Sequence, residues 1–277
     1  DALNTGRNDL LEIGGIAFLP SGFGVVYVGR TPTETAIFST SLFPGSGTPR
    51  GVRIAGPVRI EEPITVGGTG PNLFYVTSGE SLAVVPIRDR NQDGAVDSVG
   101  TVTRLRRAYG PSVSEDDQVL YSLTPSEDPA TITVFYADYE NGALFSQRTA
   151  TRTAAKLASW KPSETILTYQ YGDAIMYGVI NLGSIPAAES LYAEGVNTAP
   201  SYGRWGAKTI GFLHGSMVGN YTDLLITAHG APEAVTVWRN LVDPRFVAWS
   251  PLEPIMAVTH HAGGTPSILL VIALPIP

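Results

Sequence analysis

The chain has 277 residues, of which 43% are apolar and 16% are charged, with a net charge of −7 and no cysteine. The acidic balance and the lack of a basic stripe exclude a nucleic-acid-binding protein, because such a protein uses Lys and Arg to displace counterions from phosphates. The absence of cysteine excludes disulfides, thiolate metal sites and cysteine nucleophiles.

The first predicted element is a short strand at residues 8–13 (NDLLEI), and six units of similar pattern follow it. Each unit begins with a strand that ends at an anchor residue, continues through a turn, and then enters further strands rich in Val, Ile, Thr and aromatic residues. The steps between successive anchors are 48, 47, 47, 45 and 44 residues, and the anchors are Phe18, Val66, Val113, Trp160, Trp205 and Trp249. This period is typical of the four-stranded blades of a β-propeller.

The sequence therefore predicts an all-β, six-bladed propeller of four-stranded antiparallel blades in a single domain spanning residues 1–277. A two-sheet sandwich would explain the strands but not the period. The sixth unit ends without an outer strand, so we expect residues 8–13 to complete that blade and to close the ring. The predicted blades are approximately 14–55, 56–105, 106–150, 151–195, 196–241, and 242–277 together with 8–13.

Two segments suggest a family. AWSPLEP (248–254) and SWKPSE (159–164) resemble the W-S-P-D-G signature of TolB-like propellers with PD40 (WD40-like) repeats. The resemblance implies a β-propeller and a bacterial protein that is secreted, periplasmic or at the cell surface. The helical N-terminal domain of TolB is missing from this sequence, so the resemblance does not carry over the envelope partners of TolB.

In the second unit, the stretch RDRNQDGAVDSVG (88–100) matches the first nine positions of the calcium-loop pattern D-x-[DN]-x-[DN]-G. Alternate short acidic or amide side chains converge on one hard cation in such loops, while glycine permits the sharp turn and a backbone carbonyl adds an oxygen. The predicted cofactor is calcium, since magnesium requires a tighter octahedron. The predicted ligands are Asp89, Asn91, Asp93, Asp97 and the carbonyl of Ala95, with Val96 pointing inward.

The loop departs from the EF-hand at its twelfth position, where Gly100 replaces the bidentate glutamate, and its flanks are strands instead of helices. A plain hairpin turn at Asp93-Gly94 is the simpler alternative.

The position of the loop indicates its role. In a propeller, the turns between second and third strands and the links between blades lie on one face, here called the near face. The turns between first and second strands and between third and fourth strands lie on the opposite, far face. Residues 88–97 join the third and fourth strands of the second blade, so we expect a structural calcium site on the far face.

Other polar residues offer weaker candidates. His214, His260 and His261 fall on the near face in adjacent blades, where imidazoles could bind a metal or act as a base. With Asp173, Glu34 and Asp128 they define the alternative function, a hydrolase, lyase or lactonase with a metal at the channel mouth. Surface histidines in turns are the simpler interpretation.

Three further sets have structural interpretations. The triplet at residues 115–117 is expected to be a solvated far-face turn. The adjacent Glu61 and Glu62 should point in opposite directions, which disfavours a catalytic pair. Trp238 is expected to pack between blades.

The run at 267–274 (SILLVIAL) is shorter than the about 20 residues of a membrane helix, so we expect a buried strand and no membrane span.

Because no convergent acid–base set is evident, the sequence favours a non-catalytic exported or cell-envelope binding module. We expect a protein or glycan partner on the near face, at the mouth of the central channel. The chain fits either a complete small protein or one domain of a larger chain or assembly.

Overall fold

The computed structural model describes residues 2–3, 5–45, 48–125, 134–150, 155–160, 166–179, 188–203, 209–215, 222–228, 230–231, 233–262 and 264–273. These ranges contain 25 strands and no α-helix. Consequently, the part of the chain that the structure describes has no helix suited to crossing a membrane.

The strands form six antiparallel sheets arranged as propeller blades, which confirms the predicted fold class. The strand β1 (Ala2–Leu3) precedes the first blade, which contains β2 (Glu12–Phe18), β3 (Gly24–Arg30), β4 (Thr35–Ser41) and β5 (Arg50–Ala55). The second blade contains β6 (Thr65–Gly67), β7 (Asn72–Val76), β8 (Ser81–Arg88), the short β9 (Ser98–Val99) and β10 (Thr103–Arg107). The third contains β11 (Tyr109–Val113), β12 (Gln118–Ser122), β13 (Val134–Glu140) and β14 (Ala143–Thr149).

The fourth blade contains β15 (Ala155–Trp160), β16 (Ile166–Tyr171), β17 (Ala174–Val179) and β18 (Ala188–Tyr192). The fifth contains β19 (Val196–Tyr202), β20 (Thr209–Gly215), β21 (Thr222–Ala228) and β22 (Val235–Leu241). The sixth contains β23 (Val247–Trp249), β24 (Ile255–Ala262) and β25 (Thr265–Ile272), with β1 at its outer edge.

The core lies between neighbouring blades. In β3, six consecutive residues are buried, because one side of the strand faces the second blade and the other faces the sixth. Val26 and Val28 pack with Leu73 and Val85 of the second blade, whereas Tyr27 packs with residues of the sixth. The middle strands therefore read as continuous apolar runs, as in any sheet covered on both faces.

The ring is closed by an N-terminal strand, as predicted, but by a different segment. Ala2 pairs with Leu269 and Leu3 pairs with Ile268, whereas residues 8–11 are not in a strand and Glu12 begins the inner strand of the first blade. The prediction that residues 8–13 close the last blade was therefore wrong in position.

Two glycines explain this error. Gly14-Gly15 suggests a break between strands, but both residues lie inside β2. A Cβ on Gly14 would lie 2.3 Å from the carbonyl oxygen of Ile60, and one on Gly15 would lie 2.8 Å from that of Glu62. Glycine is required because the second blade approaches the backbone closely, not because the strand ends.

The anchors that the structure describes lie at or next to the last residue of each inner strand. Trp160 pairs with Leu167 and Trp249 pairs with Met256 across the first turn of their blades. In the fifth blade the equivalent residue is Tyr202, which pairs with Ile210. The predicted anchor Trp205 lies outside the described residues.

Trp238 does not pack between blades as predicted. It lies on the outer strand β22 and is 43% exposed, whereas the anchor Trp249 is 8% exposed. The physical reason is position: β22 is exposed along most of its length, so neighbouring blades cover little of its side chains.

Candidate functional site

The loop from Asp89 to Asp97 is compact, and its acidic side chains accept hydrogen bonds from its own backbone. One oxygen of Asp89 accepts from the N–H of Asp93 at 3.1 Å, and the other accepts from the N–H of Gly94 at 3.1 Å. Asp93 accepts from the N–H of Ala95 at 2.8 Å. Gly94 has φ of +84°, which meets the predicted need for glycine at the turn.

The remaining predicted ligands are held in a similar way. The amide of Asn91 donates to Asp93 at 3.1 Å, and Asp97 accepts from the N–H of Arg90 at 2.7 Å. Ala95 is buried. The loop thus has oxygen donors suited to a hard cation. However, the described residues include no group of three His, Asp or Glu side chains placed to hold a metal ion, so calcium stays a prediction.

The loop docks on the first blade. The Ser41 hydroxyl donates to the carbonyl of Asp93 at 2.5 Å, and the Ser21 hydroxyl donates to Asp89 at 3.0 Å. The N–H of Val96 donates to Ser39 at 3.4 Å, and the Val96 side chain is buried in the core shared by the first two blades. The predicted inward position of Val96 agrees with this contact, and the loop joins two blades.

The acidic turn of the third blade also joins two blades. Asp117 was expected to be solvated, but it accepts from the N–H of Thr69 at 3.0 Å and from the Thr69 hydroxyl at 2.6 Å. Its φ is +57°. Asp116 is exposed, so only part of the triplet at 115–117 is a solvated turn.

The three near-face histidines do not meet. Nδ1 of His214 lies 2.9 Å from Oδ1 of the buried Asn197, and Nε2 of His260 lies 3.0 Å from the Ser267 hydroxyl. Nδ1 of His261 lies 3.2 Å from the carboxylate of Asp243. Burial and, to a lesser degree, the neighbouring His261 lower the pKa of His260. Each imidazole therefore has its own structural partner.

Of the acids of the alternative metal site, the two that the structure describes have separate contacts. Glu34 forms an ion pair with Arg53 at 3.0 Å, and the backbone carbonyl of Asp173 accepts from the Asn197 amide at 2.7 Å. Asp128 lies outside the described residues.

A series of ion pairs, here called the near-face ion-pair series, runs from the sixth blade to the end of the second. Its acids are Glu12, Glu61 and Glu80, and each contacts two arginines. The pairs are Arg245–Glu12, Glu12–Arg30 (2.7 Å), Arg30–Glu61 (3.8 Å), Glu61–Arg59 (3.9 Å), Arg59–Glu80 (3.1 Å) and Glu80–Arg107 (2.6 Å).

Glu62 has a different environment from its neighbour. It is 1% exposed and accepts from the N–H of Gly110 of the third blade at 2.8 Å, whereas the Glu61 side chain is 42% exposed. The two carboxylates thus differ as the extended link predicts.

The central channel contains a cavity of about 430 Å³. Its walls are the second halves of the six inner strands and the turns that follow them, so it lies toward the far face. The walls combine polar groups with apolar side chains, and the apolar side chains include Ile16, Ile64, Val113, Leu157 and Phe246.

Solved structures share this architecture at low sequence identity. A putative TolB from Agrobacterium tumefaciens is 11% identical, with a TM-score of 0.62 over 95% of this chain and 91% of that chain. Regucalcin, a calcium-binding protein from Agrobacterium tumefaciens strain C58, is 11% identical, with a TM-score of 0.62 over 100% and 96%. An oligogalacturonate lyase in complex with manganese is 10% identical, with a TM-score of 0.56 over 97% and 90%.

The similarity to these structures establishes that the chain has the six-bladed propeller fold. No family model and no curated protein sequence matches the chain, so membership of the PD40 repeat family stays a prediction.

Proposed function

We propose that this propeller is a non-catalytic binding module of an exported or cell-envelope bacterial protein, with a protein or glycan partner on the near face. The observation that carries the proposal is the near-face ion-pair series. Arg107 and Arg30 have side chains 69% and 44% exposed, yet each is held by a carboxylate. Arginines fixed before binding lose less entropy on association and are common at the centre of interfaces.

The same contacts favour binding over catalysis. A general base or a metal site needs carboxylates or imidazoles that converge on one point. Here Glu12, Glu61 and Glu80 are paired with arginines, and His214 is held by Asn197. These groups join neighbouring strands and blades.

Replacing Arg30 and Arg107 together with alanine should reduce partner retention at least about 10-fold, as expected for central interface arginines. Retention would be measured on immobilised protein with an array of bacterial envelope glycans and with a fraction of envelope proteins. Arg239→Ala, on the exposed outer strand of the fifth blade, is the matched control. Equal retention by all three proteins would contradict the near-face assignment.

We also propose that the Asp89–Asp97 loop is a structural calcium site. Calcium at 100 times its Kd should raise the free energy of unfolding by about 2.7 kcal/mol, because it binds only the folded loop. Chelation by EDTA should lower the Tm by roughly 5 °C, and added calcium should restore it.

Two variants make this calcium test specific. The Tm of Asp93→Ala should be the same in EDTA and in calcium, since this variant lacks a central ligand. Asp116→Ala, which removes an exposed far-face carboxylate outside the loop, should keep the calcium response. A wild-type Tm that EDTA leaves unchanged would overturn the calcium proposal.

A further inference from the structure

The far-face cavity is a second feature with the dimensions of a binding site. Its volume of about 430 Å³ is within the range of roughly 300–1,000 Å³ that small-molecule sites occupy. All six blades contribute to it, so its position on the channel axis is fixed by the whole ring.

Four serine oxygens of the cavity wall accept hydrogen bonds within the protein. Ser112 and Ser159 accept hydrogen bonds from backbone N–H groups of the following blade, at 3.1 and 3.2 Å. Ser114 accepts from a backbone N–H at 3.0 Å, and Ser250 accepts from two, at 3.3 and 3.2 Å. These serines act as acceptors here and keep a hydroxyl hydrogen to donate, and the indole N–H of Trp160 in the same wall has no hydrogen-bond partner in the part of the chain that the structure describes, so the wall can supply a few hydrogen bonds.

Charge is scarce in the same wall. Among the described residues that line the cavity, Glu115 is the single acidic or basic side chain, and it lies in the first turn of the third blade, at the far-face end. The apolar part of the wall includes Ile16, Ile64, Leu157 and Phe246.

We propose that this cavity binds an uncharged, apolar small molecule. An ion placed there would lose water in a wall whose one acidic or basic side chain is Glu115, and burying an unpaired charge costs more than the roughly 2–7 kcal/mol of an unpaired neutral polar group. An apolar molecule gains about 25 cal/mol for each Å² of its surface that the wall covers. The site is separate from the near-face surface, so it extends the proposed function to a second ligand.

Leu157 provides a direct test of the cavity. It is a wall residue with φ of +51°, in the left-handed region that asparagine tolerates better than leucine. Leu157→Asn should therefore fold while it places an amide in the apolar part of the wall.

The probe is N-phenyl-1-naphthylamine, an uncharged apolar fluorophore, titrated into the full chain. We expect saturable binding at one site per chain, weakened at least about 10-fold by Leu157→Asn. Phe43→Asn, at an exposed aromatic residue outside the cavity wall, should bind the probe as the wild type does.

The outcomes distinguish the two proposals. Absent or non-saturable binding by a folded wild type overturns the cavity site, as does binding that Phe43→Asn removes and Leu157→Asn preserves. The Arg30→Ala, Arg107→Ala double variant should bind the probe normally. Failure of the near-face partner test therefore leaves the cavity test intact.

Discussion

Gly24→Ala should lower the free energy of unfolding by about 3 kcal/mol, at the upper end of the usual cost of overpacking. A Cβ on Gly24 would lie 1.9 Å from the carbonyl oxygen of Gly94 and 2.6 Å from its carbonyl carbon. Both atoms belong to the backbone, so the Asp89–Asp97 loop would have to move away from the first blade. That movement would break the Ser41–Asp93 hydrogen bond and expose Val96.

The matched control for this prediction is Gly172→Ala. Gly172 has φ of +56° and no atom within 4 Å of the position of an added Cβ, so alanine there should cost only the left-handed backbone term, about 1 kcal/mol. Gly24 does not have a left-handed φ, and its cost is purely steric. Urea denaturation of both variants would measure the difference. Equal costs would mean that the loop does not pack against the first blade.

Trp249→Ala should lower the free energy of unfolding by about 4 kcal/mol, as for other buried aromatic residues. Trp249 is buried, its indole N–H donates to the carbonyl of Ser201 at 3.0 Å, and its ring lies against Gly203 and Gly211 of the fifth blade. The variant would leave a cavity between two blades and a carbonyl without its donor.

Trp238→Ala is the control for the anchor. Because Trp238 is 43% exposed on an outer strand, its loss should cost less than about 1 kcal/mol. Thermal and urea denaturation would compare the two variants. A larger loss for Trp238→Ala than for Trp249→Ala would contradict the role of the anchors in joining blades.

The repeat made most of the fold predictable, because each blade uses the same backbone plan and the anchor marks where the inner strand ends. In the fifth blade, Tyr202 ends the described inner strand, and the predicted anchor Trp205, three residues later, lies outside the described residues. The closing strand was misplaced because Gly14 and Gly15 serve close packing inside a strand.

The contacts between blades were not predicted, although the sequence carries a signal for them. Several bonds join residues 48 positions apart, which is about one repeat: Thr69–Asp117, Glu62–Gly110, Ser112–Trp160 and Ser201–Trp249. The period therefore indicates which positions are neighbours in successive blades. It does not indicate which neighbours carry complementary polar groups.

The candidate loop illustrates the same limit. Its ligand spacing is local and can be read from nine residues. Its docking depends on Ser21, Ser39 and Ser41, which precede their partners by 68, 57 and 52 positions. No local pattern marks a serine that will meet a loop of the next blade.

The joint between the first and sixth blades differs from the other five because the chain that crosses it enters the sixth blade only through the two-residue strand β1. In the described residues, β1 contributes two paired positions there, and the Glu12–Arg245 ion pair lies near the joint. Thermal release of these two pairs would leave the outer edge of β25 unpaired, although the apolar core shared by the first and sixth blades would remain. The edge of β25 would then be exposed to strand exchange between molecules, so this joint would govern resistance to aggregation.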